Sequence, residues 1–522
     1  MGTNLSLPLP LSTNASIEWI FGVSGLTAIV LWHMFFDKNS VKGTNIMAPK
    51  PSSFIFGHTL ETVGSIPKWC EDGSYPEPYL SWMNKYGGVI FLREFMTSVA
   101  LVSDPKALQH ILSSNGTNYP RDKMIRDYMQ DIFLGVGLVS SEGSLHDAQR
   151  KMLNPHFSLV QVKAFIPTFE EQTKDRLIPI LDKATSTQQE FDMTHALQHF
   201  SLGVIGKIAF SFDFDQHPNV HQAYVQMLEP PSSSTYLGLL YIPGYANLPF
   251  QELKKLRAAK KALSDTITQV IEHKLTLTNS RNDLLALILP HTTPAEALAH
   301  TMTFMTAGHE TLSSTLAWVI VETRRRPEVL AKMRAECNQV MEKYTSIATW
   351  EATQELVYTT AVINETLRLN TVAHAILRRV AMQDDQVPLV DTSSVFIPKG
   401  TCIEIMPAAF HRNPRYWANA NEFVTERFIL GTPEWMADEQ LRGGHSHTFY
   451  FLPFSYGSKN CIGQRFAMAE MLVILAAMVT HFDFEIAPSA DLRHKFNGLT
   501  VQPTKLQVKV RRIKSPEAGK GA

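Results

Sequence analysis

The stretch "FLPFSYGSKNCIGQRFAMAE", residues 451–470, sets one cysteine, Cys461, between Gly457 and Gly463 and seven positions after Phe454. The run behind it, "GQRFAMAEMLVILAAMVTHF", has a helical pattern, which places Cys461 at or just before a helix N-terminus. Unpaired backbone N–H groups and the positive end of the helix dipole stabilise a thiolate there and are expected to lower its pKa. The glycines permit a turn that folds several amides around one sulfur, and Phe454 offers an apolar cover. A thiolate so held can be a nucleophile, an inert buried cysteine or a metal ligand. A nucleophile wants a histidine base and a pocket motif, and neither is legible here. An inert cysteine does not call for two glycines and a helix start.

A second polar step lies inside "TTPAEALAHTMTFMTAGHETLSSTLAWVIVETRRRP". Thr293 can cap, Pro294 suits the first helical position, Glu296 completes a capping box and Pro327 ends the run, so about 30 helical residues are expected. A helix that long should cross the whole body, on the order of 45 Å. At its middle "AGHET" puts Gly308 before His309, Glu310 and Thr311. One reading packs Gly308 against a neighbouring helix with His309 and Glu310 facing solvent. The other leaves room for a flat ligand at Ala307 and Gly308, while the Thr311 hydroxyl bonds the Ala307 carbonyl and loosens the turn enough to hold water.

"NETLRL" sets Glu365 and Arg368 three apart on one helical face. The apolar flanks mark the pair as buried, and a buried guanidinium wants further acceptors. Arg427, in "NEFVTERF", belongs to the same architectural group.

The elements that carry these residues are mostly helical in pattern. Residues 87–105, "GGVIFLREFMTSVALVSDP", read as a hairpin, so the fold class is mainly α with small β-sheets. A chain of 522 residues, 44% apolar, can bury a large core. With 48 Lys plus Arg against 49 Asp plus Glu, it offers no electrostatic case for a nucleic-acid partner. "IEWIFGVSGLTAIVLWHMFF", residues 17–36, has the length and apolarity of a transmembrane helix. It follows a short lumenal segment, 1–16, that carries no Lys or Arg, which speaks against a cleaved signal peptide. Lys38, Lys42 and Lys50 after it place the remainder on the cytoplasmic side. A linker at 37–58, one catalytic domain at 59–512 and a disordered tail at 513–522 complete the expected organisation.

Cys70, Cys337, Cys402 and Cys461 are scattered and form no CxxC pair, which excludes a disulfide framework or zinc knuckle. A lone thiolate cannot hold zinc, but it can be the one protein ligand of an iron already held by four porphyrin nitrogens. Here the chain resembles the cytochrome P-450 family of membrane-anchored haem-thiolate monooxygenases. The pattern F-x-x-G-x-R-x-C-x-G matches Phe454, Gly457, Cys461 and Gly463. A/G-G-x-D/E-T matches Ala307, Gly308, Glu310 and Thr311, and E-x-x-R matches Glu365 and Arg368. Three positions depart from it: Lys459 stands where arginine is usual, Thr425 where a proline is, and Leu312 where a second hydroxyl is frequent.

The resemblance implies the P-450 fold, haem b with Cys461 as axial ligand, and proton delivery by Glu310 and Thr311. It implies haem propionate contacts from His146, Arg150, Arg379 and Lys459. The co-substrate would be O2, and the guest an apolar small molecule of secondary metabolism, met by segments 126–137 and 234–250 through Phe133, Leu134, Leu239 and Tyr241. No flavin or nicotinamide fingerprint is present, so electrons would come from a separate NADPH-dependent flavoprotein reductase. That reductase would dock on cations such as Lys459, Arg465 and Arg150 if they are exposed, at the endoplasmic reticulum membrane. An O2-independent haem-thiolate isomerase or dehydratase would share the cysteine loop but has no use for the acid–alcohol pair. A non-catalytic haem carrier or sensor is the third class, distinguished by whether the reduced protein binds carbon monoxide.

Overall fold

The computed structural model describes residues 48–513 apart from 188, 230, 243 and 277–282. The expected anchor at 17–36, the segment 1–16 and the tail from 514 lie outside the described residues. Among the described residues no helix is long and apolar enough to cross a membrane.

The hairpin forms as expected from β1 (Val89–Glu94) and β2 (Thr97–Val102), paired antiparallel from Val89 with Val102 to Glu94 with Thr97. Helices α1 (Lys123–Ile132), α2 (Gly143–Leu153), α3 (Met193–Phe210), α4 (Pro218–Leu228), α5 (Ser233–Tyr241) and α6 (Gln251–Thr276) follow. They lead to the long α7 (Pro294–Arg325) and to α8 (Val357–Leu369). β3 (Ile376–Val380) and β4 (Cys402–Ile405) complete a sheet of order β1-β2-β4-β3, with β4 parallel to β2 and antiparallel to β3. After the cysteine loop come α9 (Gln464–His481) and the hairpin of β5 (Asp491–Phe496) and β6 (Val501–Lys505). Gly57 bridges to Glu94 at a left-handed φ of 61°, and glycine is required there because a Cβ would lie 2.0 Å from the Arg93 carbonyl oxygen.

Local chemistry sets the bounds of α7. The Thr293 side chain accepts from the Glu296 N–H, the Glu296 carboxylate accepts from the Thr293 N–H at 2.9 Å, and Pro294 occupies the first turn. Its 32 residues span about 48 Å, and most of them are buried. α3 packs along it, and its C-terminal half, around Trp318, enters the same apolar core as α8 and α9.

The buried pair is a network. Arg368 donates through Nε and Nη2 to the two Glu365 oxygens at 2.7 and 2.8 Å, and to the carbonyls of His411, Ala420 and Glu422 at 2.6 to 2.9 Å. Glu365 also accepts from the Val424 N–H at 2.7 Å and from Arg427 Nε at 3.2 Å. Arg427 in turn donates to Asp438 at 2.6 Å. All four side chains are buried, so α8 is fixed to the irregular segment that precedes the cysteine loop.

Thr425 opens the short 3-10 turn Thr425–Phe428, and its buried hydroxyl has no hydrogen-bond partner. Val424 before it is extended at φ −130°, as a residue preceding proline must be. Thr425→Pro is therefore expected to raise stability by about 0.5–1 kcal/mol, by removing the unpaired hydroxyl and stiffening the unfolded chain. Urea unfolding of parent and variant measures this.

Candidate active site

Two elements converge on an internal cavity of about 340 Å³, the cysteine loop and the middle of α7. The loop brings Phe454, Lys459, Cys461 and Gly463 to its wall, and α7 brings Ala307, Gly308 and Thr311. The remaining wall is largely apolar, including Leu138, Ile205, Phe304, Val372 and Leu377.

The Cys461 side chain is exposed, but to this cavity rather than to bulk water. Its amide donates to the Phe454 carbonyl at 2.9 Å, closing the loop. Gly457 is required at its place: φ is 78°, and a Cβ would stand 1.9 Å from the Leu112 carbonyl oxygen. Ser455 also takes a left-handed φ of 58°, so the turn is strained around the sulfur. Gly463 differs from the expectation. Its φ of −87° suits any residue, and its part is to cap α9 and offer its N–H to the sulfur. The expected fall in the thiol pKa is also corrected. Burial raises it, and the Gly463 N–H and the Arg150 charge oppose that rise without overcoming it. Local amides at a helix end lower a thiol pKa relative to water, but the fold sets this sulfur in a largely apolar chamber.

On α7 the Thr311 hydroxyl donates to the Ala307 carbonyl at 2.7 Å, as expected. Ser313 and Ser201 both donate to the His309 carbonyl, at 3.0 and 3.2 Å, so two carbonyls of one helical turn, those of Ala307 and His309, carry side-chain bonds. Gly308 lines the cavity and also packs against α3, where a Cβ would press to 3.3 Å of Ile205. The solvent-facing reading of His309 and Glu310 fails, since both are buried. His309 Nδ1 lies 3.3 Å from the Tyr224 hydroxyl of α4, and burial pulls its pKa down to about 3, so the ring is neutral. Burial pushes the Glu310 carboxyl up to about 8 against the bonds from Asn497 and Thr500, with Thr500 Oγ1 3.4 Å from Oε2.

The expected anion contacts are redistributed. Arg379 lines the cavity, is buried, and its Nε has no partner. Arg150 lines it too, but its guanidinium donates to the backbone carbonyl and side-chain oxygen of Asn460 at 2.7 and 2.6 Å. Lys459 pairs with Glu142 at 2.5 Å, so much of its charge is already answered. His146 is buried on α2 with Nδ1 3.2 Å from Asp147 and Nε2 unpartnered, and Arg121, Lys459 and Glu142 are its other charged neighbours. It is not part of the cavity wall. Arg121 was missed. It is buried, lines the cavity next to Arg379, and is drawn down to about 9 by burial and by that neighbour. Of the cations proposed to meet a reductase, Arg465 alone of the three is exposed, since Lys459 and Arg150 are partly buried and engaged. In the two segments expected to meet the guest, Phe133 belongs to the α-helical core, Leu134 packs against it, and Leu239 lines a separate cavity. The Tyr241 side chain lies outside the described residues.

These residues fit a haem. The chamber is largely apolar, one cysteine sulfur faces it, and Arg121, Arg379 and Lys459 line it with Glu142 answering only part of their charge. An unpartnered buried Arg379 Nε there calls for an acceptor such as a carboxylate.

Comparison with known proteins agrees. A family model described as Cytochrome P450 matches residues 56–510. Cytochrome P450 monooxygenase 128 of Postia placenta is 31% identical over 504 residues, covering 87% of this chain and 88% of that protein. Cytochrome P450 monooxygenase claW of Ampulloclitocybe clavipes is 28% identical over 498 residues, covering 85% and 86%. Protein LUTEIN DEFICIENT 5, chloroplastic, of Arabidopsis thaliana is 28% identical over 443 residues, covering 80% and 71%. The chain belongs to the cytochrome P450 family. It is a monooxygenase, an oxygen-incorporating oxidoreductase whose family carries haem on a cysteine thiolate and uses O2, a redox partner and small-molecule substrates.

The Lys459–Glu142 pair gives a prediction. Lys459→Ala leaves a half-buried carboxylate beside the cationic side of the chamber, so the variant is expected to pass haem to an acceptor protein about fivefold faster, roughly 1 kcal/mol for a partly exposed pair. Adding Glu142→Gln should restore the parent rate. Haem-transfer kinetics of the three proteins check both steps.

Proposed function

We propose that this protein hydroxylates an apolar small molecule at a haem b held by Cys461, with electrons from a separate NADPH-dependent flavoprotein reductase. The observation that carries the reading is one largely apolar chamber whose wall holds both the Cys461 sulfur and the Thr311 turn. Haem bound there supplies the activation of dioxygen. The chain's own residues do the rest. Arg121 and Arg379, with Arg150 and Lys459 on the same wall, would hold the propionate side. Phe454 covers the sulfur and excludes water. Thr311, with its hydroxyl on the Ala307 carbonyl, holds open a turn in which a proton donor can stand, and Glu310 behind it is a carboxyl that burial keeps protonated near neutral pH.

The apolar walls suit a guest that partitions into membranes, and the 17–36 segment would anchor the enzyme in the endoplasmic reticulum with its catalytic domain cytoplasmic. The exposed Arg465 supports docking of an acidic reductase on the cysteine side. The test is a screen of terpenoid, fatty-acid and polyketide-like compounds by spin-state shift, followed by oxidation with the reductase and NADPH. A shift and a hydroxylated product from an apolar compound are expected. Shifts and turnover only with charged, membrane-excluded compounds would overturn the reading.

A further inference from the structure

A second cavity of about 290 Å³ lies between α1, α4, α5, α6 and the tip of the β5–β6 hairpin, and Thr306 of α7 closes its inner end. Its body is apolar, made by Tyr128, Ile132, Met227, Leu239, Leu256 and Leu499. Among the described residues none is common to its wall and that of the main chamber. Both segments expected to meet the guest, 126–137 and 234–250, contribute here, through Tyr128, Ile132, Thr235 and Leu239. No described residue of either lines the main chamber. Ligand pockets run from about 300 to 1,000 Å³, so this one suits a compact molecule.

Most of its polar groups are already engaged. Asp131 and Lys260 form an ion pair, and Glu252 accepts from Ser232 and Thr235. Asn497 accepts from the Leu499 and Thr500 amides at 3.2 and 2.8 Å and donates to Gln502 at 3.4 Å, all within its own hairpin. The wall mixes the ammoniums of Lys255 and Lys260 with the carboxylates of Asp131, Glu229 and Glu252, so it favours neither a cation nor an anion. Thr306 is different. It is fully buried, and its hydroxyl lies near that of Tyr224 yet makes no hydrogen bond of normal geometry. A buried hydroxyl in that state, at the end of an apolar cavity, calls for an acceptor.

We propose that this cavity is a second small-molecule site, which takes a compact, uncharged, apolar molecule whose one ketone or ether oxygen accepts from the Thr306 hydroxyl. Burial of the apolar body holds the molecule, and Thr306 orients it. Its occupant is not the molecule being oxidised, because α7 stands between this cavity and the Cys461 chamber. Thr306 lines the one, while Ala307 and Thr311 line the other.

The experiment uses the full-length, haem-loaded protein with excess 4-phenylimidazole, which caps the iron and occupies the main chamber. The probe is labelled 2-adamantanone, with adamantane as its hydrocarbon control. The shift of the haem spectrum by 4-phenylimidazole reports the main chamber by itself, so failure of the haem reading is seen separately from failure of the second site. Equilibrium dialysis against the capped parent is expected to show one 2-adamantanone bound per protein. Thr306→Val keeps the side-chain shape and should weaken 2-adamantanone about tenfold while leaving adamantane unchanged. Leu239→Trp fills the cavity and should abolish binding of both probes, with the 4-phenylimidazole spectrum unchanged in either variant. Absence of bound 2-adamantanone from the capped parent would overturn the proposal. So would binding that is as tight in both variants as in the parent, since the probe would then sit elsewhere. Thr306→Val decides the matter alone if Leu239→Trp does not fold.

Discussion

Arg368→Ala is expected to give no folded, haem-loaded protein. The side chain is fully buried and makes two bonds to Glu365 and three to the carbonyls of His411, Ala420 and Glu422. Its guanidinium also stacks over Trp417, 5.3 Å from the ring centre. Truncation strands three buried carbonyls and leaves Glu365 to Arg427 and one backbone N–H. Breaking a buried pair alone costs about 3–5 kcal/mol, against a total stability of about 5–15 kcal/mol. The loss is local to the segment that leads into the cysteine loop, so haem retention should fail along with the fold. Arg368→Lys should not rescue it, because one ammonium on a flexible stem cannot reach five acceptors laid out for a planar fork. Haem content per mole of purified protein and far-UV circular dichroism measure the outcome. Normal values for the alanine variant would show that the network is dispensable.

Thr311→Ala should leave haem content and substrate binding intact yet lower product formation by about 10²- to 10⁴-fold, the range of a lost general acid. The hydroxyl stands at the chamber wall on α7 and donates to the Ala307 carbonyl at 2.7 Å. Without that hydroxyl the electrons that NADPH supplies should appear as peroxide or excess water. Thr311→Ser keeps the hydroxyl and should retain most coupling. Product, peroxide and NADPH counted together separate this effect from a structural one. Full coupling in the alanine variant would contradict the role.

The parts of the site that sequence exposed are those in which local chemistry acts alone. Thr293, Pro294 and Glu296 set the start of α7 whatever surrounds it, and Thr311 reaches Ala307 because both lie on that helix. Glu365 and Arg368 are legible for the same reason, but the carbonyls of Ala420 and Glu422 that complete their network are not. Arg121 sits in "YPRDK", which has no pattern of its own. It matters because its backbone forms an isolated bridge to Arg379 across the fold. The partner of Lys459 is Glu142, at the head of α2, and the partners of Glu310 come from the β5–β6 tip. The sign of the Cys461 shift went the other way because burial, a tertiary property, outweighs the helix end, a local one.

The central claim is that Cys461 is the sole protein ligand of the haem iron, and the carbon monoxide spectrum of the reduced protein tests it most directly. The other cysteines within the fold are placed elsewhere: Cys337 beside Thr359 in the core, Cys402 in β4, and Cys70 against the Pro67 carbonyl. The parent should show the thiolate signature, and Cys461→Ala should show none even where it retains haem. Survival of that signature in Cys461→Ala would place the ligand on another residue and contradict the account.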